Sequence, residues 1–307
     1  MRRRVLRVAI GLFILYAVMA VLCGVFLAEI TLHPPRHPLR HQEKATAIVR
    51  DQFHTALQDV STMTGDGVKL KAWFIEPQNG NRSVVILLHG VTDNREGVAG
   101  FAPMFLQAGY TVLIPDARAH GESGGSIATY GLRERYDILQ WTKWIRRPNG
   151  CVYLFGESMG AAIALQATEV NPGLCAVAVE SPFSTFREIA YDRMAQHTPF
   201  GTRFWRSAGR PVIEIALAYA KLRYDVDLTK ANPEEAMEHS RVPALLIAGT
   251  ADRNIPMRHS AELIRTSGSH AQMWVVSGAD HGGAVSVAHD EFQRRILDWF
   301  RDHQQLQ

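Results

Sequence analysis

Apolar and polar positions alternate along most of this chain in blocks that predict strands and helices in turn. Short unbroken apolar runs predict buried strands near residues 84–88, 111–115, 152–155, 175–179, 244–248 and 272–276. Apolar residues at helical spacing between those runs predict helices near 97–108, 130–146, 159–170, 257–266 and 287–302. Two earlier strands, near 57–64 and 68–76, flank the hairpin turn signal Gly65-Asp66-Gly67. Because strands that alternate with helices are joined by crossovers, this order predicts an α/β fold with a mainly parallel sheet.

The first 30 residues follow a different pattern. Val8 to Ala28 form a 21-residue window without a charged side chain. At a rise of about 1.5 Å per residue a helix of that length spans about 31 Å, the thickness of the hydrocarbon core of a bilayer. We therefore predict a transmembrane signal-anchor over residues 1–30. A cleaved signal peptide is the alternative, although the apolar region of such a peptide usually has only about 7–15 residues. The arginines before the window favour an N-terminus in the cytoplasm and a main domain on the non-cytoplasmic side.

Composition adds few constraints. The chain has 307 residues, of which 47% are hydrophobic and 21% charged, as in a globular α/β protein with one appendage. The formal net charge of +3 is too small to predict a nucleic-acid partner. The histidines and cysteines show no metal-ligand spacing and no glycine run fits a phosphate loop, so we predict neither a metal nor a cofactor. Cys151 and Cys175 open two apolar strands and are expected to be small core residues, with a disulfide as the alternative if those strands are neighbours. The sequence leaves the oligomeric state open.

The run from Cys151 to Leu165 carries the strongest chemical signal. An apolar strand enters Gly156-Glu157-Ser158-Met159-Gly160, and a helix-forming run follows at once. A serine on such a strand-to-helix turn has a strained backbone, so Gly156 and Gly160, two residues before and after it, must lack bulk. The hydroxyl stands clear of the sheet, while the N-terminal amides of the new helix point to the oxygen that the serine attacks. We therefore predict that Ser158 is a catalytic nucleophile.

Two later residues can supply a general base and its partner. Asp252 follows one apolar strand, and His281 follows the next. We predict that His281 accepts the serine proton, and that Asp252 fixes the histidine tautomer and stabilises the imidazolium. Glu180, which ends the strand after the elbow helix, is an alternative for the acid. Asp280 is a weaker one, because the side chains of neighbouring loop residues diverge.

The combined motifs resemble those of a known superfamily. The chain order Ser158, Asp252, His281 is that of α/β-hydrolases. The run from Pro115 to Ser123 is similar to a loop that one branch of them usually shows as Asp-x-Arg-Gly-His-Gly-x-Ser, with Ala119 in place of the common glycine. That branch includes serine aminopeptidases, monoacylglycerol lipases and small membrane-anchored acyl hydrolases. The resemblance covers the chain from about residue 57 to the C-terminus, and it implies an α/β-hydrolase fold with helices flanking the central sheet.

The resemblance also implies an oxyanion hole. Members of the superfamily take one N–H group from the residue after the nucleophile and another from the loop after an early strand. In this chain these would be the backbone amides of Met159 and Val91, and Gly90 would let the backbone approach the substrate. His89 is expected to be a structural hydrogen-bonding residue rather than a second base.

The same resemblance implies a plan of domains. The anchor is followed by a proline-rich stalk and linker over residues 31–56 and by a catalytic domain over 57–307. The stretch from Ser181 to Arg241 is too long for an ordinary connection, and it occupies the position of the helical cap of the superfamily, about 182–241. Its aromatic and apolar residues favour a hydrophobic substrate, although they also fit a cap that only packs on the domain.

These features predict a membrane-anchored serine hydrolase. It would cleave carboxylic ester or thioester bonds of a small hydrophobic acyl substrate through an acyl-enzyme. One scaffold hosts several activities, so a serine aminopeptidase-like peptidase is an alternative, and a non-catalytic membrane-tethered binding protein is another. The predicted partners are therefore the acyl substrate and, through the N-terminal helix, the lipid bilayer.

Overall fold

Eight strands form one sheet in the computed structural model, which describes residues 2–145 and 150–304. The strands are β1 (Leu57–Met63), β2 (Lys69–Ile75), β3 (Val84–Leu88), β4 (Thr111–Pro115), β5 (Val152–Glu157), β6 (Ala176–Glu180), β7 (Ala244–Gly249) and β8 (Ala271–Val276). Their order across the sheet is β1-β2-β4-β3-β5-β6-β7-β8. Strand β2 is antiparallel to both its neighbours, and the other pairs are parallel. The predicted α/β fold with a mainly parallel sheet is confirmed.

The helices alternate with these strands. They are α1 (Arg2–Leu32), α2 (Gln42–Phe53), α3 (Arg95–Val98), α4 (Ala102–Gln107), α5 (Glu134–Ile145), α6 (Met159–Val170), α7 (Phe186–His197), α8 (Thr202–Trp205), α9 (Arg210–Tyr224), α10 (Pro233–His239), α11 (Arg258–Ser267), α12 (Ala284–Val287) and α13 (His289–Asp302). Arg146, which ends the predicted helix 130–146, lies outside the described residues, as do residues 305–307 of the predicted catalytic domain.

Two predicted helices differ from the observed ones for local reasons. The helix predicted near 97–108 is divided into α3, a 3₁₀ turn over Ala99–Phe101, and α4. Gly100 and Pro103 lie at this division, and neither residue favours the interior of a helix. Helix α5 begins four residues later than predicted, because Tyr130 and Gly131 have φ angles of 55° and 109°. Those left-handed conformations cannot continue into a right-handed helix.

Helices cover both faces of the sheet. On one face α4 and α13 contribute large buried rings, which include Phe105, Phe292 and Phe300. On the other face α5 and α6 bury Trp141 and Ile163. Strands β3, β4, β6 and β7 are buried along their whole length. This two-sided cover explains why parallel strands appear in the sequence as unbroken apolar runs.

The expectation that Cys151 and Cys175 are separate core residues is wrong. Strands β5 and β6 are parallel neighbours, so the residues just before them lie side by side, and a disulfide joins the two cysteines. Both are buried. Cys23, in α1, is free and exposed. The bond closes a covalent ring that contains β5, Ser158 and α6.

The loop after β4 contains the alanine that replaces the common glycine. Ala119 has a φ of 62°, a left-handed conformation that costs an L-residue roughly 1–2 kcal/mol. Its amide donates a 2.8 Å hydrogen bond to the carbonyl of Gly124. The buried carboxyl group of Asp116 accepts the amides of Arg95 and Glu122, both at 2.8 Å. These hydrogen bonds fix the loop and offset the backbone strain at Ala119.

The segment between β6 and β7, which was predicted to be the cap and is called the cap below, contains α7, α8, α9 and α10. Its apolar cluster includes Phe183 and Phe186, together with Leu32 from the end of α1. Helix α9 has a buried apolar face, with Ile213 1% and Ala220 0% exposed. The cap residues therefore share one core with Ala162 of α6 and with Leu32 of the N-terminal helix.

Helix α1 is the one helix within residues 2–145 and 150–304 that is long and apolar enough to cross a membrane. The segment after it, predicted as a stalk, lies against the domain that contains the sheet. Arg36 donates a 2.8 Å hydrogen bond from its guanidinium to the carbonyl of Ser123. The carboxylate of Glu96 accepts the backbone amide of Arg40 at 2.9 Å.

Candidate active site

The turn between β5 and α6 holds Ser158 in a strained conformation. Its φ of 54° and ψ of −114° lie in a region that few non-glycine residues adopt. A Cβ atom on Gly156 would lie 2.5 Å from the carbonyl oxygen of Gly160. A Cβ atom on Gly160 would lie 2.2 Å from the carbonyl oxygen of Leu88. Neither position has room for a side chain, so these two glycines allow the turn to close around the serine.

Asp252 and His281, predicted to act together, form a hydrogen-bonded pair. The Nδ1 atom of His281 lies 2.9 Å from Oδ2 of Asp252. The other carboxylate oxygen accepts the amides of Asn254 and Ile255, both at 2.8 Å. Burial opposes ionisation of Asp252, but the hydrogen bonds from His281 and Ile255 outweigh it and lower the pKa of the carboxyl group. An ionised Asp252 only accepts hydrogen bonds, so Nδ1 carries the proton and Nε2 is left as the basic atom.

The loop that carries His281 lies against the serine turn. A Cβ atom on Gly282 would lie 3.5 Å from Oε1 of Glu157, the residue before Ser158. Glu180 links the two segments, because its carbonyl accepts the amide of Ser158 at 3.0 Å and its Oε1 accepts the amide of Ala284 at 2.8 Å. Among the described residues, the Ser158 hydroxyl makes no hydrogen bond to His281. Catalytic hydrogen bonds often form only when substrate is present, so the arrangement remains compatible with proton transfer.

The two predicted oxyanion donors, Val91 and Met159, have free amides. Within the described ranges neither backbone N–H group has a hydrogen-bond acceptor in the protein. Met159 begins α6, where the first N–H groups have no partner inside the helix. The loop of Val91 is close to the serine, since a Cβ atom on Gly90 would lie 3.6 Å from Cβ of Ser158. Both amides are therefore available to hold an anionic oxygen.

His89 determines how the Val91 amide is directed. Its Nε2 atom accepts the amide of Ala117 at 3.0 Å, so Nδ1 carries the proton and donates to the carbonyl of Gly90 at 2.8 Å. Burial lowers the pKa of His89, which favours this neutral form. The Gly90 carbonyl and the Val91 N–H group belong to one trans peptide and point in opposite directions. By holding the carbonyl, His89 fixes the direction of the N–H group, which is the structural role expected of it.

The carboxyl groups of Glu180 and Glu157 lie beside the His281–Asp252 pair and are not part of it. Glu180, the alternative acid, is 1% exposed; its Oε1 accepts the Ala284 amide and its Oε2 has no partner among the described residues, so it makes no hydrogen bond to His281. Glu157 lies opposite it in the register of β5 and β6. Burial raises the pKa of Glu180 to about 7, and burial together with the charge of Glu180 raises the pKa of Glu157 to about 8. Sequence reasoning missed the pairing of Glu157 with Glu180, because the sequence alone does not show that β5 and β6 are neighbours.

A second Ser–His–Asp chain is buried beneath the cap. The Oγ atom of Ser184 lies 2.9 Å from Nδ1 of His259, and Nε2 of that histidine lies 3.1 Å from Oδ2 of Asp192. Ser184 is 1% and His259 0% exposed, so a substrate has no access to this serine. This set of hydrogen-bonded side chains connects α7 of the cap to α11, and its role is structural. In the part of the chain that the structure describes, no group of three His, Cys, Asp or Glu residues could hold a metal ion.

Sequence comparison relates the chain to one family. A family model described as the alpha/beta hydrolase family matches residues 85–295. The uncharacterized protein YqkD of Bacillus subtilis is 25% identical over 239 residues, which are 76% of this chain and 75% of that protein. A thermostable monoacylglycerol lipase of Bacillus sp. (strain H-257) is 27% identical over 100 residues, which are 30% of this chain and 38% of the lipase.

Structural comparison leads to the same fold. The esterase Pf2001 of Pyrococcus furiosus matches with a TM-score of 0.71 and 23% sequence identity. The match covers 90% of this chain and 99% of the esterase. At this level of identity the similarity shows a shared fold, and the chemistry has to be argued from the residues themselves.

Proposed function

The chain belongs to the alpha/beta hydrolase family, and on that premise we propose that it is a membrane-anchored serine hydrolase. Its substrate in this proposal is a carboxylic ester or thioester with a hydrophobic acyl group. The observation that supports the proposal most is the His281–Asp252 pair, which lies next to the strained turn of Ser158. Nucleophile, base, orienting acid and two free amide donors are the parts that acyl transfer requires.

The proposed reaction has two matched halves. Ser158 Oγ attacks the acyl carbon while its proton passes to Nε2 of His281. Asp252 keeps Nδ1 protonated and stabilises the imidazolium, and the amides of Val91 and Met159 hold the oxyanion. The imidazolium then gives its proton to the leaving alcohol or thiol, which leaves an acyl–serine ester. Water attacks that ester by the same sequence, releasing the acid and restoring the serine hydroxyl.

The surroundings of Ser158 support an uncharged, apolar substrate. At pH 7 Glu157, whose pKa is raised to about 8, is mostly protonated, and Glu180, whose pKa is raised to about 7, is about half protonated, so they carry less negative charge near the developing oxyanion than two ordinary carboxylates. Phe183 and Phe186 of the cap belong to the same apolar cluster as Ala162, which lies four residues after Ser158. The sequence relative named as a monoacylglycerol lipase favours the same substrate class over peptides.

Two features support a catalytic domain on the non-cytoplasmic side of a membrane. Helix α1 is long and apolar enough to span the bilayer, and arginines precede its uncharged window. The Cys151–Cys175 disulfide lies in the catalytic domain, and disulfides persist mainly in oxidising compartments. Retention of the full-length protein in the membrane fraction after carbonate washing supports the anchor. Full-length protein in the soluble fraction would refute it, and a soluble form without the first twenty or so residues would identify a cleaved export signal.

A fluorophosphonate probe, which reacts with activated serines, tests the chemistry. The full-length protein should be labelled, and Ser158→Ala should not. Ser184→Ala is the matched control, because Ser184 also contacts a histidine but is buried, so this variant should still be labelled. Labelling of Ser158→Ala at the wild-type rate, or no labelling of the wild type, would refute the proposed mechanism. A panel of acyl esters, acyl thioesters and aminoacyl amides then separates esterase, thioesterase and aminopeptidase activity.

A further inference from the structure

The C-terminal half of α1, from Tyr16 onward, packs directly on the cap helix α9. Ala20, Gly24 and Ala28 recur every four residues, and all three are buried. A Cβ atom on Gly24 would lie 2.7 Å from Cγ2 of Ile215 and 2.8 Å from a backbone oxygen of α9. Small residues at this spacing allow two helix backbones to approach closely, and they are frequent where helices pack in membranes. The contact therefore has the features of a specific helix–helix interface.

Polar contacts hold both ends of this helix pair. The Tyr16 hydroxyl donates a 2.6 Å hydrogen bond to the carbonyl of Ala208, just before α9. At the other end the carboxylate of Glu29 accepts the hydroxyl groups of Tyr219 and Tyr224, at 2.6 Å and 2.7 Å. Hydrogen bonds to an ionised group are stronger than those between neutral groups. The two ends fix the register of α1 along α9.

The end of α1 also contacts the body of the catalytic domain. The carbonyl of Leu32 accepts the amide of Ala128, and the carbonyl of Thr31 accepts the hydroxyl of Tyr130, both at 2.9 Å. Tyr130 in turn packs its ring on Phe186 of the cap. Leu32 is fully buried in the cap cluster. Removing α1 would therefore uncover the interior of the cap.

The contacts between α1 and α9 determine how deep the cap lies along the proposed transmembrane span. Tyr16 precedes Ala28 by twelve residues, which in a helix is about 18 Å along the axis. When the uncharged window of about 31 Å crosses a bilayer, the beginning of α9 thus lies near its middle and the end of α9 near its outer edge, at the depth of acyl chains. The side of α1 that faces away from α9 at this level is exposed and apolar, at Met19, Leu22 and Phe26.

We infer that α1 is a structural part of the cap, and that the α1–α9 pair adapts the cap to acyl esters held in the bilayer. This inference rests on the proposed serine hydrolase function, which supplies the reaction. Helix α1 then affects substrate selectivity through the position of α9, in addition to holding the protein in the membrane. Short water-soluble esters need little contact with the cap, so their hydrolysis does not depend on the helix pair.

Two glycines of α1 provide a matched pair of variants. Gly24→Ile inserts a side chain into the interface, whereas Gly11→Ile adds the same side chain where nothing lies within 4 Å. Both full-length proteins are placed in lipid nanodiscs, and kcat/KM is measured for a long-chain monoacylglycerol and for a soluble butyrate ester. Gly24→Ile should lower the long-to-short ratio by about tenfold or more, since each methylene that loses burial is worth about fourfold. Gly11→Ile should leave the ratio unchanged, and an unchanged ratio in Gly24→Ile would overturn the inference.

A cysteine cross-link tests the contact between α1 and α9 directly. It does so even if Gly24→Ile lowers the yield of folded protein. A Cβ atom on Gly24 lies 2.9 Å from Cβ of Ile215, close enough for a disulfide after a small adjustment. In a Cys23→Ser background, Gly24→Cys with Ile215→Cys should cross-link in the membrane, and Gly11→Cys with Ile215→Cys should not. Absence of the first cross-link would overturn the inference. A wild type that resists the fluorophosphonate probe would instead refute the proposed function, whatever the cross-link shows.

Discussion

Replacing Cys151 and Cys175 together with alanine should lower the free energy of unfolding substantially. The two cysteines are 24 positions apart, so the disulfide restricts a ring of about 25 residues in the unfolded chain, which corresponds to about 3.5 kcal/mol at 25 °C. The double replacement leaves no single thiol that could form another bond. Because the ring contains the serine turn, the loss of stability should be seen at Ser158 as well as in the sheet.

Urea unfolding of the detergent-solubilised protein, followed by tryptophan fluorescence and by loss of fluorophosphonate labelling, measures this change. With a slope of about 3 kcal/mol per molar urea, the midpoint should fall by about 1 M. Cys23→Ala is the control, because that thiol is free and exposed in α1, and its midpoint should not move. Dithiothreitol should lower the wild-type midpoint to that of the double variant. Equal midpoints for wild type and double variant would refute the reasoning.

Three further predictions concern the site and the anchor. Asp252→Asn should lower kcat for ester hydrolysis by about 10⁴-fold, because it stabilises the wrong tautomer of His281. Glu180→Gln should keep most of the activity. If Glu180→Gln lost more activity than Asp252→Asn, Glu180 would be the acid that orients the histidine. Burial raises the pKa of Glu157 from 4.5 to about 8, so the folded protein binds a proton there that the unfolded chain releases, and stability should fall as pH rises between these values. Glu157→Gln should reduce that fall, because about one proton fewer is released when the protein unfolds. A series of urea midpoints from pH 5 to pH 9 measures the difference, and an unchanged pH dependence would contradict the raised pKa of Glu157. A chain beginning at Lys44 should still react with the fluorophosphonate probe but melt at a lower temperature than the full-length protein, because α9 loses its cover; equal melting temperatures would speak against the packing.

Features that depend on local sequence were predictable. Strands β3 and β4 have the predicted bounds, because strands buried on both faces are apolar throughout. The turn around Ser158 was predictable because its geometry excludes side chains at two positions, and the sequence shows glycines there, Gly156 and Gly160. Asp252 and His281 follow the neighbouring parallel strands β7 and β8, so their meeting follows from the order of strands once the superfamily is suspected.

Contacts between distant segments were not predictable in this way. The disulfide requires that β5 and β6 be neighbours, which the positions of Cys151 and Cys175 do not show by themselves. The spacing of Ala20, Gly24 and Ala28 indicates a face of α1 suited to close packing, but it does not show that α9 is the helix that covers this face. The role of His89 depends on Ala117, which comes from another strand's loop. Such pairs are set by the packing of the whole chain and not by any local pattern.

The attachment of α1 to the catalytic domain affects how the proposed enzyme encounters its substrate. Ala128 and Tyr130 hold the end of the helix, and Glu96 holds the segment after it. In a bilayer the domain then keeps one orientation and does not move freely at the end of a flexible linker. Enzyme and substrate therefore meet by lateral diffusion in two dimensions. Turnover follows the mole fraction of acyl ester among the lipids rather than its concentration in the surrounding water. Mixing inert lipid into the same membrane slows the reaction, while adding more vesicles of unchanged composition does not quicken each enzyme.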